Sequence, residues 1–280
     1  MTDPVSAVIL GIVEGITEFL PVSSTGHLLI AEKWVPVPSN IEHDLFNVVI
    51  QPGAVLAVIP LFHKRFHQFI FNWNDAAVRS YLFKIITAFV ITGIGGLVMV
   101  KKGFKLPETF LPVAIALLIG GVLFLIVEWW LAKTGHSPGK DKERGDLRDV
   151  TWPIAIAVGI GQLIAAGFPG ASRSGTTIIF CLILGLGRPL ATEFSFIVGI
   201  PTMLAAGGYT ILKAVRHPIP GAPHQNWPMV ILASVVAAVV SFIAVKWLLR
   251  YVQTHTFVLF GWYRVLIGGA LLVALAMKLI

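Results

Sequence analysis

Residues 111–132 read LPVAIALLIGGVLFLIVEWWLA. Their length matches the roughly 20 apolar residues that an α-helix needs to cross the hydrocarbon core of a bilayer. Two further stretches, 228–249 and 257–279, are similarly long and apolar. Trp129 and Trp130 lie near the end of the first stretch, and indole side chains favour the interface between lipid and water. We therefore predict that all three stretches are membrane-spanning helices.

The composition of the whole chain supports the same interpretation. Of its 280 residues, 56% are hydrophobic and only 12% are charged, whereas about 25% of the residues of a soluble domain are charged. The formal net charge of +7 comes from basic residues in the loops between apolar stretches, where membrane topology and anionic headgroups account for them. We expect the chain to contact membrane lipids and not nucleic acid.

The chain also contains an internal repeat. Residues 11–24 align with 159–172, which lie 148 positions later, and residues 43–57 align with 192–206 at a separation of 149. The first alignment pairs the serines that end its two segments. Two matched blocks in the same order indicate a duplicated unit. In membrane proteins such duplication commonly builds inverted repeats, with the functional site where the halves meet.

Each copy begins with a segment that is apolar but interrupted by glycine, proline, serine and charged residues, at 7–30 and 152–178. Proline lacks the backbone N–H that a continuous helix uses, and clusters of serine and glycine favour turns. Irregular backbone at membrane depth is tolerated only where protein buries it or water lines it. We predict that both segments are re-entrant helix–loop–helix elements that line a polar cavity.

The predicted fold is an all-α integral membrane protein, an inverted-topology repeat with about six spanning helices and two re-entrant segments. We expect a single membrane domain over 1–280, with a first repeat at 1–132, a charged connecting loop at 133–150 and a second repeat at 151–280. The full spans are expected near 44–62, 82–100, 111–132, 194–213, 228–249 and 257–279.

Glu14 and Glu18 lie four residues apart within the first interrupted segment. On a helix they share one face, about 6 Å apart along the axis. Two carboxylates in apolar surroundings repel each other and lose hydration, unless a cation bridges them or one stays protonated. Oxygen ligands suit Mg²⁺ or Ca²⁺. We predict that both residues are catalytic and that together they bind such a divalent cation.

Hydroxyl groups follow in the motif PVSSTGH at 21–27. Ser23, Ser24 and Thr25 lie in a glycine-containing loop, where hydroxyls can donate to phosphate oxygens or supply a nucleophile. His27 follows as a candidate base, acid or nucleophile. We predict Ser24 and His27 as catalytic residues, and Ser23 and Thr25 as substrate-binding residues.

The corresponding loop of the second copy, PGASRSG, places Arg173 between Ser172 and Ser174. An arginine at membrane depth needs an anionic partner, and its planar fork suits phosphate oxygens. Backbone N–H groups at the start of the following helix, from Gly175 onward, would add to an anion cradle. We predict Arg173 as catalytic, and Ser172, Ser174 and Gly175 as substrate-binding residues.

These motifs resemble those of the bacterial undecaprenyl-diphosphatases, a family also linked with bacitracin resistance. The resemblance covers nearly the whole chain and is carried by EGITEFLPVSSTGHL (14–28), FNVVIQPGAVLAV (46–58), PGASRSGTT (169–177), EFSFIVGIP (193–201) and the pair Tyr263-Arg264. The first and third blocks are the specific ones. The chain departs from the family pattern at Asn47, where an acidic residue is usual.

The resemblance implies a multi-pass enzyme of the bacterial inner membrane that hydrolyses undecaprenyl pyrophosphate to undecaprenyl phosphate and inorganic phosphate, and so recycles the lipid carrier of cell-wall synthesis. It also implies a polyprenyl pyrophosphate substrate and a divalent-cation requirement. The family's functional positions correspond to Glu14, Glu18, Ser24, Thr25, His27, Ser172 and Arg173. The oligomeric state is left open, a homodimer included.

Two questions stay open at this point. The nucleophile is Ser24 with His27 taking its proton, His27 itself, or water that His27 activates. The rival class is a transporter or lipid flippase, because inverted repeats with broken helices are typical of secondary transporters. We favour the enzyme because a nucleophile, a base, carboxylates and an arginine cluster in two short loops, whereas a transporter needs only binding groups.

Overall fold

The computed structural model describes residues 3–38, 43–104, 109–135, 146–216 and 226–280, and all regular structure in these ranges is helical. The α-helices are α1 (Asp3–Thr17), α2 (Ser24–Ala31), α3 (His43–Val58), α4 (His63–Phe71), α5 (Ala76–Lys101), α6 (Phe110–Lys133), α7 (Trp152–Gly167), α8 (Arg173–Ile183), α9 (Arg188–Arg216), α10 (Trp227–Tyr251) and α11 (Val258–Ala276). Short 3-10 turns lie at Ile59–Phe62 and Leu147–Asp149. The prediction of an all-α protein is confirmed.

Six helical stretches in the described ranges are long and apolar enough to cross a membrane: Leu45–Phe71, Ala76–Lys101, Phe110–Lys133, Arg188–Arg216, Trp227–Tyr251 and Val258–Ala276. This confirms the predicted number. The first stretch is longer than expected because α4 continues it beyond a 3-10 turn. Large apolar side chains on these helices, such as Ile94, Leu97 and Ile243, are largely exposed, as expected of a surface that contacts acyl chains. The chain is a multi-pass membrane protein.

The two halves of the chain have the same order of elements. Each begins with a helical hairpin, α1–α2 or α7–α8, and continues with one long helical stretch and two further spans. The halves interlock, because α1 packs along α10 and α7 packs along α5, while α6 pairs with α11. The predicted repeat boundaries stay a prediction. Of the predicted connecting loop 133–150, residues 136–145 lie outside the described residues.

Glycines allow these helices to approach closely. A Cβ on Gly11 would lie 2.6 Å from the carbonyl oxygen of Ala233 on α10, and a Cβ on Gly159 would lie 3.0 Å from that of Ala88 on α5. Helices in lipid associate through close backbone packing, because the acyl chains remove the hydrophobic drive that acts in water. The glycines of the two interrupted segments therefore hold each hairpin against a span of the other half.

Both hairpins consist of helices that are short for a membrane protein. With 15 residues in α1 and 16 in α7, these helices are about 22 and 24 Å long, whereas the hydrocarbon core is about 30 Å thick. Their partners α2 and α8 are shorter still. These lengths fit segments that enter the membrane and turn back, and the re-entrant placement stays a prediction.

Candidate active site

The first hairpin turns at a capped and strained serine. Ser23 is the N-cap of α2, and its Oγ accepts a hydrogen bond from the Gly26 N–H at 3.4 Å. Its φ of 75° lies in a region that residues with a side chain rarely adopt, at a cost of about 1–3 kcal/mol. Such conformations persist where the surroundings hold them, and they cluster at functional sites.

The second hairpin repeats this geometry. Ser172 is the N-cap of α8 with a φ of 67°, and its Oγ accepts a hydrogen bond from the Gly175 N–H at 3.1 Å. The sequence alignment that paired Ser24 with Ser172 is therefore wrong by one residue, because Ser23 is the structural counterpart of Ser172. The separation between equivalent residues thus changes from 148 to 149 before the two caps. At a separation of 149, Arg173 corresponds to Ser24.

Glu18 connects the two turns. Ser24 Oγ donates a hydrogen bond to Glu18 Oε2 at 2.5 Å, and Arg173 Nη2 donates to Glu18 Oε1 at 3.2 Å. Ser24 and Glu18 are buried, and the Arg173 side chain is 14% exposed. Glu18 and Ser24 belong to the first half of the chain and Arg173 to the second. The ion pair therefore crosses between the halves and brings three of the predicted site residues together.

Arg173 keeps unused donors beside this ion pair. Its Nε and Nη1 atoms are buried, and none of the described residues accepts a hydrogen bond from them. Phe19 supports the guanidinium from one side, with Cζ 5.9 Å from the ring centroid. Gly199 on α9 lies against it so closely that a Cβ there would overlap Nη1. Buried N–H groups fixed in this way suit an anion such as phosphate.

Glu14 lies one helical turn before Glu18 and is completely buried. Neither of its carboxylate oxygens accepts a hydrogen bond from a donor among the described residues, and a protonated Glu14 would donate one to the carboxyl group of Glu18. Burial and, next, repulsion from Glu18 raise the pKa of Glu14 well above its usual range. A group in this position holds either a proton or a cation. Mg²⁺ typically uses one or two carboxylates together with waters and substrate phosphates, so the Glu14–Glu18 pair fits the predicted cation. The described residues contain no group of three or more His, Cys, Asp or Glu side chains able to hold a metal.

A cavity of about 320 Å³ lies between the turns, within the range of about 300–1,000 Å³ typical of ligand sites. Both hairpins and the helices α3, α5 and α9 supply its polar wall, which contains Glu18, Ser23, Ser24, Thr25, Gln51, Thr92, Gln162, Ser172, Arg173 and Thr202. Val48, Met203 and Ala206 on α3 and α9 form part of its apolar wall. Glu14 is not among the residues that line the cavity. The wall is thus acidic at one turn and basic at the other.

His27 does not line this cavity. Its Nδ1 lies 2.7 Å from the backbone carbonyl oxygen of Ser23, and its Nε2 lies 2.6 Å from the hydroxyl of Tyr263 on α11. Both ring nitrogens are therefore engaged, and neither faces Ser24. Burial lowers the pKa of His27, which favours the neutral imidazole. The predicted proton transfer from Ser24 to His27 stays a prediction, and the observed partner of the Ser24 hydroxyl is Glu18.

Two other predicted residues contribute to the turns rather than to the cavity wall. Ser174 Oγ donates a hydrogen bond to the Leu20 carbonyl at 3.2 Å, which ties the second turn to the first. The Gly175 N–H is used by the Ser172 cap. Their predicted contacts with substrate stay predictions.

Several polar residues around the cavity were not predicted. Gln162 Nε2 donates to Thr92 Oγ1 at 2.9 Å, and both side chains line the cavity. Arg264 on α11 donates to backbone carbonyls of both turns. Its position within an apolar span was the available signal, because ionisable residues inside a membrane usually serve a function. For Gln162, the sequence signal was the repeat alignment, which pairs this residue with the predicted site residue Glu14.

Fold and site define a multi-pass helical membrane protein whose halves meet at a polar cavity suited to anions. A family model described as Bacitracin resistance protein BacA matches residues 7–270, and the chain belongs to this family. Its relatives include the undecaprenyl-diphosphatase of Rhizobium etli, 48% identical over 271 residues that cover 96% of each chain. The undecaprenyl-diphosphatase of Xanthomonas euvesicatoria pv. vesicatoria is 48% identical over 273 residues that cover 97% of each.

The position of Arg173 can be tested through Gly199. In Gly199→Ala the added methyl group overlaps Nη1 and displaces the guanidinium, so the affinity for inorganic pyrophosphate should fall about tenfold or more, the effect of losing a hydrogen bond to a charged group. Isothermal titration calorimetry of the detergent-solubilised protein measures this. Gly208→Ala on the same helix, where no atom lies within 4 Å of the added group, should bind as the wild type does. Equal affinity of the two variants would contradict the described placement of Arg173.

Proposed function

We propose that this protein hydrolyses undecaprenyl pyrophosphate to undecaprenyl phosphate and inorganic phosphate, and so recycles the lipid carrier of cell-wall synthesis. Relatives named undecaprenyl-diphosphatase share 48% of its residues over nearly the full length, which supports this activity. The observation that carries the proposal is the hydrogen-bonded series of Ser24, Glu18 and Arg173 beside one cavity. It combines a nucleophile, a proton acceptor and a guanidinium with spare donors.

The reaction begins with attack by Ser24 Oγ on the terminal phosphorus of the diphosphate. A bond forms between Oγ and phosphorus while the bond to the bridging oxygen breaks, so undecaprenyl phosphate leaves with that oxygen. Glu18 already accepts the hydrogen bond of the Ser24 hydroxyl, and it takes the proton. Water then attacks the phosphorylated serine, which releases inorganic phosphate and restores the hydroxyl. Because a phosphate monoester is a good leaving group, strong acid catalysis is unnecessary.

Arg173 acts mainly by electrostatics. Its Nε and Nη1 groups, which lack acceptors among the described residues, donate to oxygens of the terminal phosphoryl group. Charge spreads over these oxygens in the transition state, and fixed donors in a site of low dielectric stabilise that charge strongly. The hydroxyls of Ser23, Thr25 and Ser172 line the same cavity and offer further donors to the diphosphate.

A divalent cation, Mg²⁺ or Ca²⁺, would be held by Glu14 and Glu18. When bound, it supplies positive charge that offsets the charge of the diphosphate. The two carboxylates support this assignment, since Glu14 is buried, accepts no hydrogen bond from a donor among the described residues and lies beside a second carboxylate. The cation would relieve the repulsion between the two carboxylates.

The membrane setting explains the two hairpins. The isoprenoid tail of the substrate stays in the bilayer, so the protein brings polar groups to the headgroup instead of extracting the lipid. Irregular backbone is stable at that depth only under protein cover or beside water. We place the protein in the bacterial inner membrane, where it functions as a monomer or a homodimer.

A transporter or flippase would share the repeated, interrupted helices. The hydrogen bond between Ser24 and Glu18 favours the enzyme, because a binding site has no need of a hydroxyl held against a proton acceptor. Phosphate release by purified protein in detergent, where no gradient exists, separates the two classes.

Glu18→Gln and Arg173→Ala should each lower phosphate release from undecaprenyl pyrophosphate at least about 100-fold, because one removes the proton acceptor and the other the phosphoryl donors. A colorimetric phosphate assay on detergent-purified, folded protein provides the measurement. The control is Arg65→Ala, which removes an ion pair with Glu193 outside the cavity and should retain turnover. Near wild-type rates in either site variant would remove the proposed site.

Trapping the intermediate identifies the nucleophile. Acid quenching during turnover of substrate labelled in its terminal phosphate should yield an acid-stable phosphoester on Ser24, and Ser24→Ala should yield none. An acid-labile adduct would instead assign the attack to His27, and full turnover without any adduct would assign it to water.

Removing the cation should stop the reaction. Phosphate release is expected to vanish in excess chelator and to return on addition of Mg²⁺ or Ca²⁺. The Glu14→Gln variant should require a higher cation concentration for its half-maximal rate, because the cation loses one of its two carboxylate ligands. Unchanged rates in chelator would argue against the cation site.

A further inference from the structure

The last span contacts both turns through two consecutive residues, Tyr263 and Arg264. The Arg264 side chain is completely buried, and no carboxylate in the described part of the chain pairs with it. Its donors instead reach backbone carbonyl oxygens, those of Pro21 (3.2 Å) in the first turn, Gly170 (3.0 Å) and Ala171 (3.1 Å) in the second, and Ala116 (3.1 Å) and Leu117 (3.4 Å) on α6. One guanidinium thus bonds to both turns, in addition to the Ser174–Leu20 hydrogen bond and the Arg173–Glu18 ion pair.

Tyr263 reaches the first turn through His27. A carbonyl oxygen only accepts hydrogen bonds, so His27 Nδ1 must carry the proton that it shares with the Ser23 carbonyl. In the neutral imidazole Nε2 then has a free lone pair, which accepts the hydroxyl proton of Tyr263 at 2.6 Å. The two rings are also stacked, with centroids 5.6 Å apart and planes 7° from parallel. The hydrogen bonds from Tyr263 through His27 therefore end at Ser23, whose φ is positive.

We infer that Tyr263 and Arg264 form a positioning clasp that holds the two capped turns in register, with His27 as the link between Tyr263 and the first turn. The inference rests on the proposed function, because the clasp matters through the site that it aligns. His27 is then a positioning residue, and its two engaged nitrogens explain why it does not face Ser24.

Register between the turns decides the geometry of the reacting groups. Arg173 on the second turn and Ser24 on the first both bond to Glu18, so a shift of one turn against the other separates the nucleophile from the phosphoryl donors. Misplacement by about 1 Å lowers rates about 100-fold even when its cause lies away from the reacting atoms. The serine caps cannot prevent such a shift, because each of them bonds within its own half.

The structure offers a way to perturb the clasp without changing its residues. Gly120 on α6 lies against the Arg264 guanidinium, and a Cβ there would overlap Nη2. The carbonyls that surround Arg264 leave it little room to move. Gly269, one turn and a half further along α11 from Arg264, has open space within 4 Å of a Cβ. Gly120→Ala and Gly269→Ala therefore form a matched pair.

Kinetics of full-length protein in detergent test the clasp. Tyr263→Phe and Gly120→Ala should lower kcat about 10- to 100-fold with little change in KM, because they disturb alignment and leave the substrate-binding groups in place. Gly269→Ala should match the wild type. Arg264→Lys should show a similar fall in kcat relative to the wild type, since three donors on one nitrogen cannot replace the planar fork. A wild-type kcat in Arg264→Lys, or in both Tyr263→Phe and Gly120→Ala, would overturn the inference.

Hydrogen–deuterium exchange tests the clasp without relying on activity. Exchange at residues 18–24 and 168–174 should be faster in Tyr263→Phe and Gly120→Ala than in Gly269→Ala, while peptides from α10 exchange as in the wild type. Unchanged exchange at both turns would refute the clasp, and faster exchange throughout the chain would replace it with a general role in stability. Wild-type protein that releases no phosphate would remove the proposed function, while the exchange result would still decide whether the turns are clasped.

Discussion

The shared carboxylate of Glu18 is the constraint on which the rest of this structure depends. It accepts hydrogen bonds from Ser24 in its own half of the chain and from Arg173 in the other half. Charges removed from water are costly unless they are paired, and removing one partner leaves the other uncompensated. The two hairpins must therefore meet, and the place where they meet becomes the polar interior of an otherwise apolar protein.

The described residues do not provide hydrogen-bond partners for all of the buried polar atoms at this site. Two nitrogens of Arg173 are buried without acceptors among the described residues, and the buried Glu14 carboxyl group accepts no hydrogen bond from a donor there. Leaving such groups unpaired is destabilising. The deficits have opposite signs. An anion beside Arg173 and a cation beside Glu14 would satisfy both, which is the pattern expected of a site arranged for a diphosphate and a metal ion. The close helix packing around Gly11 and Gly159 supplies the rigidity that such a site requires.

The sequence allowed most of the fold to be predicted, because a membrane imposes simple rules. Length and apolarity alone located the six spans, and the interrupted segments indicated the two hairpins. The residues of the two motifs were also recognisable, since Glu18, Ser24 and Arg173 are types whose burial needs a reason.

Contacts between distant parts of the chain were not predictable from local patterns. His27 follows Ser24 by three residues, which suggested a direct partnership, but on α2 its ring turns toward Tyr263 and the Ser23 carbonyl. Arg264 belongs to the last span, and nothing near it in the sequence indicates that its acceptors lie in turns far earlier in the chain. The alignment of the repeats failed by one residue for a related reason, because backbone conformation and not residue identity defines the equivalent caps.

The most direct test of this account is an experimental structure with a polyprenyl diphosphate analogue whose bridging oxygen is replaced by methylene. The account predicts the terminal phosphonate in the cavity between the turns, with its oxygens bonded to Nε and Nη1 of Arg173 and its phosphorus facing Ser24 Oγ. A headgroup bound elsewhere, with Arg173 still paired to Glu18 alone, would contradict it.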